Sequence, residues 1–174
     1  RRVCSGYVNP ESIEEALQQH RLILEIAPYT LSVSPLDCEA LDVLFGFDYT
    51  YRGNHNQLVA EALGLSPSME RILDQPGVMV LNYEPSLTVA LDEECRRQFR
   101  VSVETRTNAY QVRTGDYPEE QLSVYVTARQ YGSLSPDDNF LATLDRLAAT
   151  CREMIDNYIS EHLLQPLARA ISLK

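Results

Sequence analysis

The sequence has no tryptophan, only seven glycines in 174 residues, and no motif of familiar chemistry. There is no GxSxG, no HExxH, no phosphate-cradling Walker loop and no GxGxxG, so the standard local signatures of hydrolases and nucleotide enzymes are missing. No uninterrupted apolar run approaches the ~18 residues of a membrane helix, which rules out a transmembrane helix. The opening RRVCSGYVNP is basic but has no apolar stretch, so no secretory leader is read there. Cysteine is sparse and scattered, at Cys4, Cys38, Cys95 and Cys151, far from His20, His55 and His162. Structural zinc needs close ligand pairs, so no metal and no other cofactor is expected. Thiols without a CxxC suit a reducing compartment, and a cytoplasmic location is expected.

Positive charge is also short: 15 Lys and Arg face 25 Asp and Glu, a net charge of −10. Residues 1–94 hold 15 acids and five bases, and only residues 95–131 show a slight excess, with six arginines against four acids. Phosphate backbones are bound by a concentrated basic face. Nucleic acid is therefore not an expected partner.

What is present reads as one α+β domain over residues 1–174, a length that buries roughly 70% of the unfolded surface. In NPESIEEALQQHR, Asn9 is placed as N-cap and Pro10 at the first helical position, with acids following. LILEIAPYTLSV alternates on Leu22, Leu24 and Ile26, then on Tyr29, Leu31 and Val33 after Pro28, which predicts an edge strand with a bulge. From Leu41 through Val43, Phe45, Phe47, Tyr49 and Tyr51 every odd position is apolar or aromatic, the period of a strand with one buried face. Asn54 and Gln57 have the spacing of a capping box, Gly64 closes that helix, and SPSMERILD starts another.

VMVLNY, SLTVAL, QFRVSVETRT and LSVYVTARQY predict four more strands. Phe99, Val101 and Val103 oppose Arg100, Ser102, Glu104 and Arg106; Val124, Val126 and Ala128 oppose Tyr125, Thr127, Arg129 and Tyr131. Such one-sided alternation favours antiparallel pairing. Ser135 and Pro136 then open a long amphipathic helix whose stripe runs through Phe140, Leu144, Leu147, Cys151, Met154 or Ile155, Tyr158 and His162. The expected fold is a single antiparallel sheet of about five to six strands, packed on one face by the long C-terminal helix with shorter helices around it.

Chemistry-bearing residues are few. Tyr49, Tyr51, Arg52 and His55 form a candidate ligand site, with Arg52 beside the helix N–H groups at Gly53–Asn56 as an anion variant. The bland reading of the same row is packing, and it is preferred: aromatic rings at strand spacing supply core area, and His55 is expected neutral and partly exposed. In EECRRQ the arginines favour a Cys95 thiolate and the glutamates oppose it, so an inert thiol is expected. Asp92, Glu93 and Glu94 read as a hairpin turn rather than as an acid–base pair, and no catalytic residue is assigned. For an interface, the candidates are Arg100, Arg106, Tyr125, Arg129 and Tyr131 on the solvated sheet face, with Tyr158 and His162 on the helix.

From Pro136 to Gln165 the helix would span roughly 45 Å, longer than a sheet of ten-residue strands at ~33 Å. Its apolar stripe persists to Leu163 and Leu164, so the first helix, the C-terminal turn or a second copy must cover the end. The sequence thus points to a non-catalytic protein-interaction or scaffold module that homodimerises. The alternative is a small-molecule binding protein or enzyme with its pocket between strand 41–52 and the helices.

Overall fold

A computed structural model describes residues 2–135 and 138–174. Helix α1 spans Ile13–Leu31, strand β1 Ala40–Arg52, α2 His55–Leu63, α3 Pro67–Leu73, β2 Ser86–Ala90, β3 Arg97–Glu104, α4 Ala109–Thr114 and β4 Glu119–Tyr131. A helix then runs on through α5 (Phe140–Met154), a π-helical stretch (Ile155–Leu164) and α6 (Gln165–Ser172). No helix among the described residues is long and apolar enough to cross a membrane.

The class is α+β, with one antiparallel sheet in the order β1-β4-β3-β2. Its register is fixed by paired bonds. Gly132 N–H donates to Glu39 O, and Asp42 faces Arg129 as Asp48 faces Ser123. Leu91 N–H donates to Arg97 O, and Val103 N–H to Pro85 O. Among the described residues the sheet has four strands, not five or six, and each missing strand has a physical cause.

Residues 22–33 do not form an edge strand; most of them belong to α1. Leu17 and Ala27 are buried and His20 and Leu24 half-buried, so the three- and four-residue steps prevail over the alternation. The cap is Ser12, whose Oγ accepts the Glu15 N–H at 3.2 Å; Asn9 instead sits at φ 49, and Pro10 precedes the helix. Pro28 removes one donor without ending the helix, which closes at Ser32 with φ 52. VMVLNY forms no strand because asparagine side chains take up its backbone. Asn54 Nδ2 donates to Val80 O at 2.9 Å, Asn56 Nδ2 to Leu81 O at 3.0 Å, and Tyr83 N–H donates to Asn56 Oδ1 at 2.8 Å.

The chain forms two compact units. The first comprises Arg1–Val43, Ala90–Gln98 and Ala128–Thr150. Here Arg21 grips Asp145 through Nε (3.0 Å) and Nη2 (2.7 Å), while Gln19 and His20 both bond Ser5 Oγ. Burial lowers the His20 pKa below its ordinary 6.5. A lowered histidine value means that the unfolded chain binds the proton more tightly. Stability is therefore expected to fall as pH drops through 6.5 and to level off below the folded value. Urea midpoints measured across that window should show the slope, and His20→Gln should flatten it; an unchanged slope would contradict the assignment.

The second unit comprises Leu44–Val89, Phe99–Thr127 and Cys151–Lys174. Its core is Leu58 and Val59 of α2, Val103, Leu122 and Val124 of the sheet, and Leu167 of α6. Phe47, Tyr49 and Tyr51 pack against that cluster, as do Leu163 and Leu164. The helix end is thus covered by the same chain, and Lys174 Nζ adds a 2.6 Å bridge to Glu61.

Asn139 Oδ1 accepts the Ala142 N–H at 2.8 Å at the start of α5; Pro136, expected at the first helical position, lies outside the described residues. Over residues 155–164 the helix takes i→i+5 bonds, as in Gln165 N–H to Ser160 O, which place roughly one extra residue in each turn. That widening moves the buried face by one position. Ile159 is buried where Tyr158 was expected, and both Tyr158 and His162 are exposed.

Candidate functional site

The alternation of β1 does what its period implies. Gly46, Asp48, Thr50 and Arg52 are exposed, while Phe45, Phe47, Tyr49 and Tyr51 are half-buried on the other face. Tyr49 donates its hydroxyl to Leu164 O at 3.0 Å, and burial raises its pKa. The Tyr51 ring folds back over Gly53, where a Cβ would lie 2.5 Å from the Tyr51 hydroxyl oxygen. Only glycine lets that ring adopt this position.

His55 departs from expectation. It is 1% exposed, not partly exposed, because residues 105–108 close over the start of α2. Its backbone N–H donates to Thr107 Oγ1 at 2.9 Å. Nδ1 accepts the Arg106 N–H at 3.4 Å, which assigns the ring proton to Nε2, and Nε2 donates to Tyr51 O at 3.1 Å. The Tyr51 and His55 rings lie 5.8 Å apart at 43°. Both ring nitrogens are therefore occupied by backbone, and the side chain is closed to solvent.

The anion variant meets a similar obstacle. Asn54 caps α2 by accepting the Gln57 N–H at 3.2 Å, as expected, although Gln57 bonds Glu61 rather than closing a reciprocal box. With the His55 and Gln57 donors occupied and Arg52 Nε bonded to Tyr117 O at 3.1 Å, little remains to hold an anion there. Tyr51 and Arg52 do border an open groove of about 560 Å³ with Thr50, Glu119, Ile171 and Lys174. Tyr49 and His55 do not line it. A second open groove of about 470 Å³ runs between α2 and α3, edged by Gln57, Glu61, Glu70 and Arg71.

The interface candidates separate into small groups. Arg129 pairs with Asp42 and donates to the Tyr131 hydroxyl at 2.8 Å with its guanidinium 5.2 Å from that ring; Asp42 and Tyr131 raise its pKa. Arg100 and Tyr125 share the solvated sheet face in the second unit, where Arg100 Nε bonds Ser86 Oγ at 3.3 Å and the Tyr125 ring lies over Gly46. Arg106 falls beyond the end of β3 and reaches Glu104 at 3.8 Å. Tyr158 and His162 are both exposed on the π-helical stretch.

Two features escaped sequence reasoning. One is the network around Asn56, 1% exposed, which also links Thr105, Thr107 and Glu84. The other is a row on the outer face of α1: Leu22 at 57%, Ile26 at 43% and Tyr29 at 86% exposure. Their four- and three-residue spacing was visible, but the competing alternation concealed it. Asp92, Glu93 and Glu94 do lie in the turn between β2 and β3, where Asp92 Oδ1 and Oδ2 accept the Arg96 and Arg97 N–H groups. Burial pushes the Asp92 pKa up, but the bonds from Arg97 and Arg96 outweigh it and hold the value low. Cys95 is exposed in the same turn at φ 56. Among the described residues no group of three or more His, Cys, Asp or Glu is placed to hold a metal ion.

No protein-family model matches the chain, and neither the curated proteins nor the solved structures contain a match.

Proposed function

We propose that the protein is a non-catalytic interaction module that self-associates as a homodimer through the outer face of α1. The reading is supported chiefly by the exposed row Leu22, Ile26 and Tyr29, set opposite the buried Leu17 and Ala27. A helix apolar on two faces gains from a second partner, and a two-fold dimer presents the same stripe to itself. The aromatic row, by contrast, is taken up by packing and backbone hydrogen bonds. A cytoplasmic setting belongs to the same proposal, since scattered cysteines suit a reducing compartment.

Native mass and sedimentation of the purified protein test both this reading and its rival. The expected result is a dimer, with Ile26→Glu weakening association at least tenfold while leaving the circular dichroism spectrum unchanged. A strict monomer at high concentration would remove the dimer. The open groove edged by Tyr51 and Arg52 supports the second reading, a small-molecule site. A retained ligand mass that disappears in Arg52→Ala would decide for it.

A further inference from the structure

We propose that the open groove at the end of β1 binds a small zwitterion, a free amino acid held by its carboxylate at Arg52 and by its ammonium at Glu119. Its apolar side chain rests on Tyr51 and Ile171. The inference rests on the small-molecule reading of this groove and names the class of ligand.

All six residues that line the groove belong to the second unit. The register that sets Asp48 against Ser123 runs four residues further to set Arg52 against Glu119, the last residue of β1 against the first of β4. Directly opposed residues have Cβ atoms ~5 Å apart on one face of the sheet, and opposite charges so placed normally pair. Arg52 and Glu119 do not. Arg52 turns its Nε to Tyr117 O at 3.1 Å. Among the described residues neither its two Nη nitrogens nor the Glu119 carboxylate has a hydrogen bond or an ion pair. Opposite charges thus border one groove with their bonding capacity unspent. The third charge is neutralised, since Glu61 holds Lys174 Nζ at 2.6 Å.

Charge and size select the occupant. A carboxylate alone gains the two-pronged guanidinium contact but lies beside Glu119, and an amine alone gains Glu119 but lies beside Arg52. A molecule with both groups on one carbon satisfies both at once. The short separation of opposed strand residues suits charges a few ångströms apart, not the two ends of a peptide. Tyr51 and Ile171, both half-buried, supply an apolar wall for the rest of the molecule. The volume of about 560 Å³ falls in the ~300–1,000 Å³ range of small-molecule clefts.

The probe is L-phenylalanine, titrated into the protein while amide shifts of residues 50–52 and 119 are followed by NMR. The controls are 3-phenylpropionate, which lacks the ammonium, and phenethylamine, which lacks the carboxylate. Saturable binding of phenylalanine is expected, with each control at least tenfold weaker. Arg52→Gln should erase the margin over phenethylamine, and Glu119→Gln the margin over 3-phenylpropionate. No saturable binding of phenylalanine, a control that binds equally well, or a margin that survives its variant would overturn the proposal. Equal binding of 3-phenylpropionate that is lost in Arg52→Gln would leave the groove a site for simple anions and remove only the amino acid. Absence of binding by all three, with no retained ligand mass, would remove the small-molecule reading as well.

Discussion

Asn56→Leu is expected to lower the unfolding free energy by about 3–5 kcal/mol, the upper range for one substitution. The side chain is 1% exposed and all of its hydrogen-bonding capacity is used. Nδ2 donates to Leu81 O at 3.0 Å and to Thr107 O at 3.3 Å; Oδ1 accepts the Tyr83 N–H at 2.8 Å and the Thr105 hydroxyl at 2.9 Å. Leucine branches at the same atom but would leave those partners unsatisfied, and each buried orphan costs about 1–3 kcal/mol. Because the bonds tie two separate loops to the start of α2, the loss should also free residues 80–83. Urea denaturation followed by circular dichroism, with amide exchange at Tyr83, checks both. A loss under about 1 kcal/mol with Tyr83 still protected would show that the network does not organise the loops.

Leu167→Ala should cost about 2–5 kcal/mol, since the side chain is 0% exposed in the cluster with Leu58, Leu122 and Val124. The expected cost combines lost transfer energy with the cavity left where the surroundings cannot collapse. Leu173→Ala is the matched control: Leu173 is 86% exposed and should change stability within ±0.5 kcal/mol. Equal effects for the two would mean that α6 is not anchored as described. The pair also tests whether the helix end is covered by its own chain, which Leu163 and Leu164 suggest by packing on the same cluster.

Local periodicity carried much of the fold. The single buried face of β1, the inward Phe99 and Val103 of β3 and Val124, Val126 and Ala128 of β4, the Asn54 cap and the acidic turn after β2 all follow from neighbours in sequence. Ser102, expected on the wet face, is by contrast 7% exposed. Elsewhere two periods competed, or distant side chains decided. Leu22, Leu24 and Ile26 satisfy an alternation, yet Leu17, His20, Leu24 and Ala27 satisfy a helix, and a run this apolar supports both. VMVLNY has strand composition, but Asn54 and Asn56 compete for its carbonyls and amides from more than twenty positions away. The candidate ligand site divided for the same reason. Tyr51 and Arg52 face the groove as neighbours on β1, whereas the burial of His55 depends on Thr107, which no local pattern links to it.

The widened turns between Ile155 and Leu164 work like a vernier between two scales of slightly different pitch. A helix of constant pitch drifts away from any row of every-fourth residues, whereas slack introduced midway returns the row to its starting azimuth. Cys151, Ile155, Ile159, Leu163 and Leu167 form such a row, and each is at least half-buried. Over residues 151–167 the buried row can therefore stay on one side of the helix.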